Sequence, residues 1–358
     1  MGRIYNLSAG PATLPLEVLE EVRQELLDYK GTGMSIMEHS HRGKAYMAVQ
    51  EEATANTREL LGAGDDYEIL FLQGGASTQF AMIPMNLLGD GQVADYTNSG
   101  TWAAKAIKEA KKIGQVNVIA DCGKEIPTRV PRLDELKLTP GAAYLHITTN
   151  ETISGAQWQA FPQTDAPLVA DMSSDILSRP FDVNQFGLIY AGAQKNLGPA
   201  GMALVILRKD LAERVPGNVP SMFQYKTHIE EGSMYNTPPC FTIYVYMLVT
   251  RWLKKNGLET VYARNRDKAG RLYAAIDAGA FYRGTAVPEC RSNMNVTWRL
   301  PSEDLEATFI KEATAAGFSG LKGHRSVGGI RASIYNAFPI EGVDALVSFM
   351  KDFEARHG

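Results

Sequence analysis

The chain has 358 residues, 45% apolar and 21% charged, with a net charge of -4 at pH 7. That length exceeds one ordinary core and suits a large domain with a smaller partner, and the composition is that of a globular protein without long disorder. No basic run invites nucleic acid, no apolar run approaches the roughly 20 residues of a membrane span, and Cys122, Cys240 and Cys290 are too scattered for a disulfide framework or a metal site.

The opening segment, MGRIYNLSAGPATLP, lacks the basic-then-apolar order of a signal peptide, so a cytoplasmic protein is expected. From about residue 68 to 207, seven short apolar runs alternate with helical or loop stretches: EILFLQ, VADYT, VNVIA, AYLHI, LVADM, GLIYAG and ALVIL. Near-continuous apolar runs suit strands covered on both faces, which predicts an α/β fold with a largely parallel, helix-covered, seven-stranded sheet. Ligands in such sheets lie beyond the carboxyl ends of the strands.

Three features stand at those ends. Gly74-Gly75-Ala76-Ser77-Thr78 follows EILFLQ and opens a helical stretch, a cradle for phosphate in which Ser77 and Thr78 serve as caps. Asp171 ends LVAD, where a carboxylate must find a partner or a cleft. Lys195 lies in GLIYAGAQKNLGPAG, between an apolar strand and a Gly/Pro loop, surroundings in which a lysine can lose its proton and attack a carbonyl. Each has an ordinary explanation alone: a tight turn, a helix cap, a solvated loop lysine. Together they meet what pyridoxal 5'-phosphate requires: an anion site, a carboxylate for the pyridine nitrogen and an amine for the aldehyde. Trp102, just beyond VADYT, is placed to stack on the ring or to fill a core.

After residue 257 the pattern changes. Leu258, Val261, Tyr262, Ala269, Leu272, Tyr273 and Ile276 share one helix face; Met294, Val296 and Trp298, then Ile330, Ala332 and Ile334, alternate with polar residues in two strands whose second face is free for polar work. A final helix turns Val343, Leu346, Val347, Met350 and Phe353 inward. The expected division is a large domain over 16–257 and a small α+β domain over 258–358, with segment 1–15 packed on it. Arg331 lies opposite the small domain's apolar face, and two His-Arg pairs, His41-Arg42 and His324-Arg325, join it in suiting a small substrate with two anionic ends. The six histidines show no metal-binding spacing, so no metal is expected.

LSAGPATLP, SHRGKAY, GGASTQF, NSGTW, NETISG, ADMSSDILSRP, GAQKNLGPAG, YNTPP and KGHRSVGGIRASIYNAFP occur in this order along essentially the whole chain. In them the sequence resembles the phosphoserine aminotransferase family of class V aminotransferases. The resemblance implies the fold-type I pyridoxal-phosphate architecture and a homodimer with shared active sites. It implies transfer of the amino group of L-glutamate to 3-phosphohydroxypyruvate, giving O-phospho-L-serine and 2-oxoglutarate; the family also allows 4-phosphohydroxythreonine in vitamin B6 synthesis. By resemblance Lys195 carries the cofactor as a Schiff base, Asp171 pairs with the pyridinium nitrogen, Trp102 stacks on the ring and Thr152 contacts its oxygen. Ala76, Ser77 and Gln194 hold the phosphate, with Asn236 and Thr237 reaching over from the other subunit. Arg331 clamps the substrate carboxylate, and His41, Arg42, His324 and Arg325 take its distal anion. Two readings compete: a cysteine desulfurase or lyase on the same fold, which lacks a cysteine in an evident mobile loop, and a non-catalytic phosphate-ligand binding protein, against which Lys195 and Asp171 count.

Overall fold

The computed structural model describes residues 3–123 and 127–358. Residues 1 and 2 of the segment expected against the small domain lie outside it. In chain order, strand β1 (Tyr5–Asn6) leads to helix α1 (Leu16–Glu25) and α2 (Lys44–Leu61). Helix α2 buries Tyr46, Val49, Ala53, Thr57 and Leu61, a spacing of three to four residues, and stops at Gly62, whose left-handed φ of 65° suits a residue without a Cβ.

Next come β2 (Tyr67–Leu72), α3 (Gly75–Leu87), β3 (Val93–Asn98), α4 (Thr101–Ala110), β4 (Gln115–Asp121) and β5 (Leu145–Thr148). A short hairpin, β6 (Asn150–Glu151) with β7 (Ala156–Gln157), precedes β8 (Leu168–Asp171), β9 (Leu188–Gly192) and β10 (Ala203–Arg208). The seven predicted runs form one sheet in the order β2-β10-β9-β8-β5-β3-β4. Only β10 runs antiparallel to its neighbours. Side chains alternate across this sheet between two cores: Leu168, Ala170, Ile189 and Ala191 on one face, Val169, Leu188 and Tyr190 on the other. Burial on both faces is why these strands read as unbroken apolar runs.

Helices α5 (Lys209–Ala212), α6 (Tyr225–Glu230) and α7 (Cys240–Asn256) follow. Beyond Gly257 come α8 (Leu258–Asp277), β11 (Arg283–Gly284), β12 (Asn295–Arg299), α9 (Glu303–Ala315), β13 (Phe318–Ser319), β14 (Ile330–Ser333) and α10 (Ile340–His357). Strands β11, β12 and β14 form an antiparallel sheet, and a third core gathers Leu272, Val296, Trp298, Ile330, Ile334, Leu346 and Phe353. Leu7 belongs to this core, and β1 pairs in parallel with β13.

Two details depart from the sequence reading. The polar face of β12 and β14 is not free, because Asn295, Thr297 and Ser333 are buried against the β6–β7 hairpin. There the Asn150 amide donates to Asn295 Oδ1 at 2.7 Å and the Thr297 hydroxyl to the Ser154 carbonyl at 2.7 Å. The buried face of α8 also carries Asn265 and Lys268. The Lys268 ammonium donates to the carbonyls of Ile334, Tyr335, Asn336 and Phe338 at 2.7 to 3.4 Å, so the helix grips the chain leaving β14 by polar contacts as well as apolar ones.

Candidate active site

At the carboxyl ends of the central strands lies a cavity of about 210 Å³. Its lining includes Gly74 with Ala76 and Ser77 of the first turn of α3, Trp102 from α4, Thr148 at the end of β5 and Thr152 beyond it, and Asp171, Gln194 and Lys195. The chain enters α3 through Gly74 and Gly75 at φ of 86° and 59°, and a Cβ on Gly74 would fall 1.8 Å from Thr78 Oγ1. Glycine is therefore required at the mouth of the loop. Ser77 and Thr78 are not caps, as expected from the sequence: the helix begins at Gly75 after an N-cap glycine with no side-chain bond, and both residues lie inside it. The early start leaves the first-turn amides without helical acceptors beside the cavity, the condition for holding an anion.

Asp171 is the last residue of β8 and only 4% exposed. Its Oδ1 accepts the Ser173 N–H at 2.9 Å, and Tyr190 is its neighbour across the β8–β9 pairing. Burial pushes its carboxyl above the usual carboxylate range, while Ser173, Lys195 and Tyr190 oppose that rise. Tyr190 continues inward: its hydroxyl lies 2.9 Å from His146 Nε2, and the His146 ring stacks on Tyr96 at 4.7 Å. Burial drives His146 down to about 3, so the ring is neutral, and it shares a hydrogen bond with the Tyr190 hydroxyl beside Asp171. Asp171 thus faces the cavity with neutral partners behind it.

Lys195 lies in the turn after β9, and its Nζ donates to the Thr152 hydroxyl at 2.9 Å. Burial lowers the ammonium to about 8 against the pull of Asp171 and Glu151, with Arg331 lowering it further. The N-terminal segment braces this turn: the Ala12 N–H donates to the Gln194 carbonyl at 2.9 Å, and a Cβ on Gly10 would touch Lys195 Cγ at 3.6 Å. Trp102 stands above, its ring centroid 5.7 Å from Lys195 Nζ.

Arg331 reaches from β14 toward the same place, and its Nη1 donates to the Thr152 carbonyl at 3.4 Å. Burial lowers its guanidinium, and its Nε has no partner. His324 lies on the loop before β14, close enough to Arg331, Arg325 and Lys105 for their charges to lower its imidazole after burial does. The structure thus brings Arg331, His324 and Arg325 together. None of these three lines the cavity itself, and neither do His41, Arg42, Asn236 or Thr237; Arg331 lines an adjoining cavity with Ile153, Thr297 and Arg299. His41 and Arg42 precede α2, half-buried and exposed, while the Asn236 amide donates to Gln73 Oε1 at 2.9 Å and the Gln73 amide to the Thr237 carbonyl at 3.0 Å, immediately ahead of the glycine loop.

Sequence reasoning missed Tyr190, His146, Glu151 and Lys105. Tyr190 and His146 read as ordinary members of apolar strands, and Glu151 lay inside the quoted motif NETISG without an assigned task.

The residues fit pyridoxal phosphate on structural grounds. The cavity lining holds buried polar atoms without partners, Thr148 Oγ1, Asn150 Oδ1 and Trp102 Nε1, together with a glycine cradle, an acceptor carboxylate and a lysine. Among the described residues no group of histidines, cysteines or carboxylates could hold a metal ion, and no helix is long and apolar enough to cross a membrane.

Comparison with known proteins agrees with this geometry. Residues 4–346 match the family model for aminotransferase class-V. The chain is 58% identical to the phosphoserine aminotransferase of Desulfosudis oleivorans and 56% identical to that of Niallia circulans, each covering 99% of both chains. It superposes on the solved phosphoserine aminotransferase from Bacillus circulans subsp. alkalophilus with a TM-score of 0.98, at 56% identity over 99% of both chains. A pyridoxal-phosphate-bound phosphoserine aminotransferase from Trichomonas vaginalis gives 0.94 at 44% identity, over 98% of this chain and all of that one. With the cavity built as described and relatives this similar over their full length, the chain belongs to the class V aminotransferases, among the phosphoserine aminotransferases.

Proposed function

We propose that the chain uses pyridoxal phosphate to move the amino group of L-glutamate to 3-phosphohydroxypyruvate, yielding O-phospho-L-serine and 2-oxoglutarate. The observation that carries this reading is the meeting of Lys195, Asp171, Trp102 and the Gly74–Ser77 turn in one cavity, with Arg331 bonded to the Thr152 loop beside it. When bound, the cofactor supplies a carbonyl that captures amines and a ring that accepts the electron pair released at the substrate Cα.

The chain's residues do the rest. The first turn of α3, with Ser77 and Gln194, holds the phosphate. Asp171, braced by the Ser173 N–H, would accept the pyridine N–H and so hold a proton on the pyridine nitrogen. Lys195 would hold the cofactor's carbonyl, and its neutral amine, oriented by the Thr152 hydroxyl, would take the proton from the substrate Cα. Trp102 covers the ring and excludes water. Arg331 binds the carboxylate that both substrates share, and its planar fork suits that task. His324 and Arg325 face the distal anion, a phosphate in one half-reaction and a carboxylate in the other.

We read the chain as a cytoplasmic homodimer in which His41, Arg42, Asn236 and Thr237 complete the partner's site. The support is that Met34, Met37, Met222, Phe223 and Tyr235, from the same two chain regions, are exposed apolar surface. The 258–358 unit, with the start of the chain against it, is read as the small domain that carries Arg331. Turnover with glutamate against 3-phosphohydroxypyruvate and its unphosphorylated analogue tests the reading. The phosphorylated keto acid is expected to have the higher kcat/KM by at least about a hundredfold, the worth of one desolvated anion contact; equal values would contradict it.

A further inference from the structure

We infer that Glu151 is the positioning residue for Trp102: presented by β6, its carboxylate caps α4 from outside the helix and fixes where the indole stands over the cavity. The inference rests on the reading above that Trp102 covers the cofactor ring.

Helix α4 has no cap of its own, since Gly100 at its N-cap has no side chain to offer. The first-turn donors are met instead by Glu151, which is 1% exposed. Its Oε1 accepts the Ala103 N–H at 3.3 Å and the Ser99 hydroxyl at 3.1 Å, and its Oε2 accepts the N–H of Trp102 itself at 3.4 Å. Gly100 makes room for it: a Cβ there would lie 2.7 Å from Glu151 Cδ and 2.8 Å from Oε2. At φ 161° the Gly100 backbone is extended, so the carboxylate rather than the backbone requires glycine. The Trp102 indole N–H has no partner, so no side-chain hydrogen bond holds the ring, and its place depends on how its backbone is held.

A carboxylate so buried, with Asp171 as a like-charged neighbour, is costly to keep ionised. Burial lifts Glu151 to about 7, and the N–H and hydroxyl donors and the positive end of α4 oppose the rise. Merely stabilising a ten-residue helix could be done by serine or aspartate at residue 100. Placing the cap on the β6 hairpin instead ties Trp102 to the loop that carries Thr152, so ring cover and lysine partner keep one register.

The test is a double-mutant cycle on cofactor affinity, measured by calorimetric titration of the folded apoproteins with pyridoxal phosphate. Trp102→Ala is expected to weaken binding about tenfold, in the range of one lost aromatic contact. Glu151→Gln, which keeps the shape and loses the charge, is expected to weaken it about fivefold, the worth of a lost cap. In the double variant Glu151→Gln should add nothing beyond Trp102→Ala. Gly100→Ala, which displaces the carboxylate without altering it, should reproduce the fivefold loss and keeps the proposal testable if the Glu151 variant misfolds. A full multiplicative loss in the double variant, or wild-type affinity in Glu151→Gln and Gly100→Ala, overturns the inference. If Trp102→Ala alone leaves affinity unchanged, the reading of Trp102 as ring cover has failed, and the inference falls with it.

Discussion

Lys195 Nζ donates to the Thr152 hydroxyl at 2.9 Å, so the amine that must react is held by a neutral partner rather than a carboxylate. A salt bridge would have kept it protonated; here burial dominates and lowers it to about 8. In the apoprotein the unfolded chain therefore binds the Lys195 proton more tightly between pH 8 and about 10.5, and stability gained from this group rises with pH through that window. Below pH 8 both states carry the proton and the full cost of burying the charge remains. Lys195→Met apoprotein is thus expected to be more stable than wild-type apoprotein at pH 7, by on the order of 3 kcal/mol. Urea denaturation at a series of pH values should show the gap closing between pH 8 and 10.5; a constant gap would show that Lys195 is not titrating as described.

The chain from His146 through Tyr190 to Asp171 predicts a graded response. Asp171→Asn removes the charge and should lower kcat by far more than tenfold while cofactor stays bound. Tyr190→Phe removes only a neutral hydroxyl beside the carboxylate and should lower kcat by about two- to tenfold, the range of one ordinary hydrogen bond. The His146 ring should show no titration between pH 5 and 8 by NMR, because burial holds it near 3. A titrating ring would break the argument that the chain is neutral.

Arg42 is expected to serve the partner's Lys195. When Arg42→Ala and Lys195→Ala proteins, each inactive, are mixed under exchange conditions, each heterodimer has one site with both defects and one with neither. Random mixing should then restore roughly a quarter of wild-type sites. No recovery after proven exchange would place Arg42 within its own chain's chemistry or outside the site.

Lys268 predicts a stability effect remote from catalysis. Its amine serves four buried carbonyls, of which, among the described residues, only that of Tyr335 is also given a backbone donor, the Phe338 N–H, and Lys268→Met removes the shared one. At pH 10.5, where the amine is neutral in the fold, a loss of about 1–3 kcal/mol in unfolding free energy is expected by chemical denaturation, with cofactor affinity little changed in the folded fraction; burial lowers the amine to about 7, so the loss shrinks as pH falls toward 7. A neutral or stabilised variant would show that the carbonyls find water.

The sheet was legible because its strands, apart from the partly exposed edge strand β4, are buried on both faces, which writes them as apolar runs; Asp171 and Lys195 were legible because they break such runs at the ends where ligands bind. The helix cap was misjudged because Ser77 and Thr78 are good caps by type, whereas the paired glycines let α3 begin earlier at Gly75. The polar face of β12 looked free because nothing in a strand's own alternation reports a hairpin 140 residues away, yet Asn150 reaches Asn295 across 145 positions. For the same reason Glu151 and Tyr190 were silent: their roles come from side chains that the fold, not local spacing, brings to Trp102 and Asp171.

The central claim is that Lys195 is the residue that carries the cofactor. Borohydride reduction of the holoenzyme, followed by proteolysis and mass spectrometry, tests it most directly. The account predicts a single pyridoxyl group on the peptide that contains Gln194-Lys195-Asn196, absent in Lys195→Ala protein; the label on any other lysine, or its persistence in the Lys195→Ala protein, would contradict it.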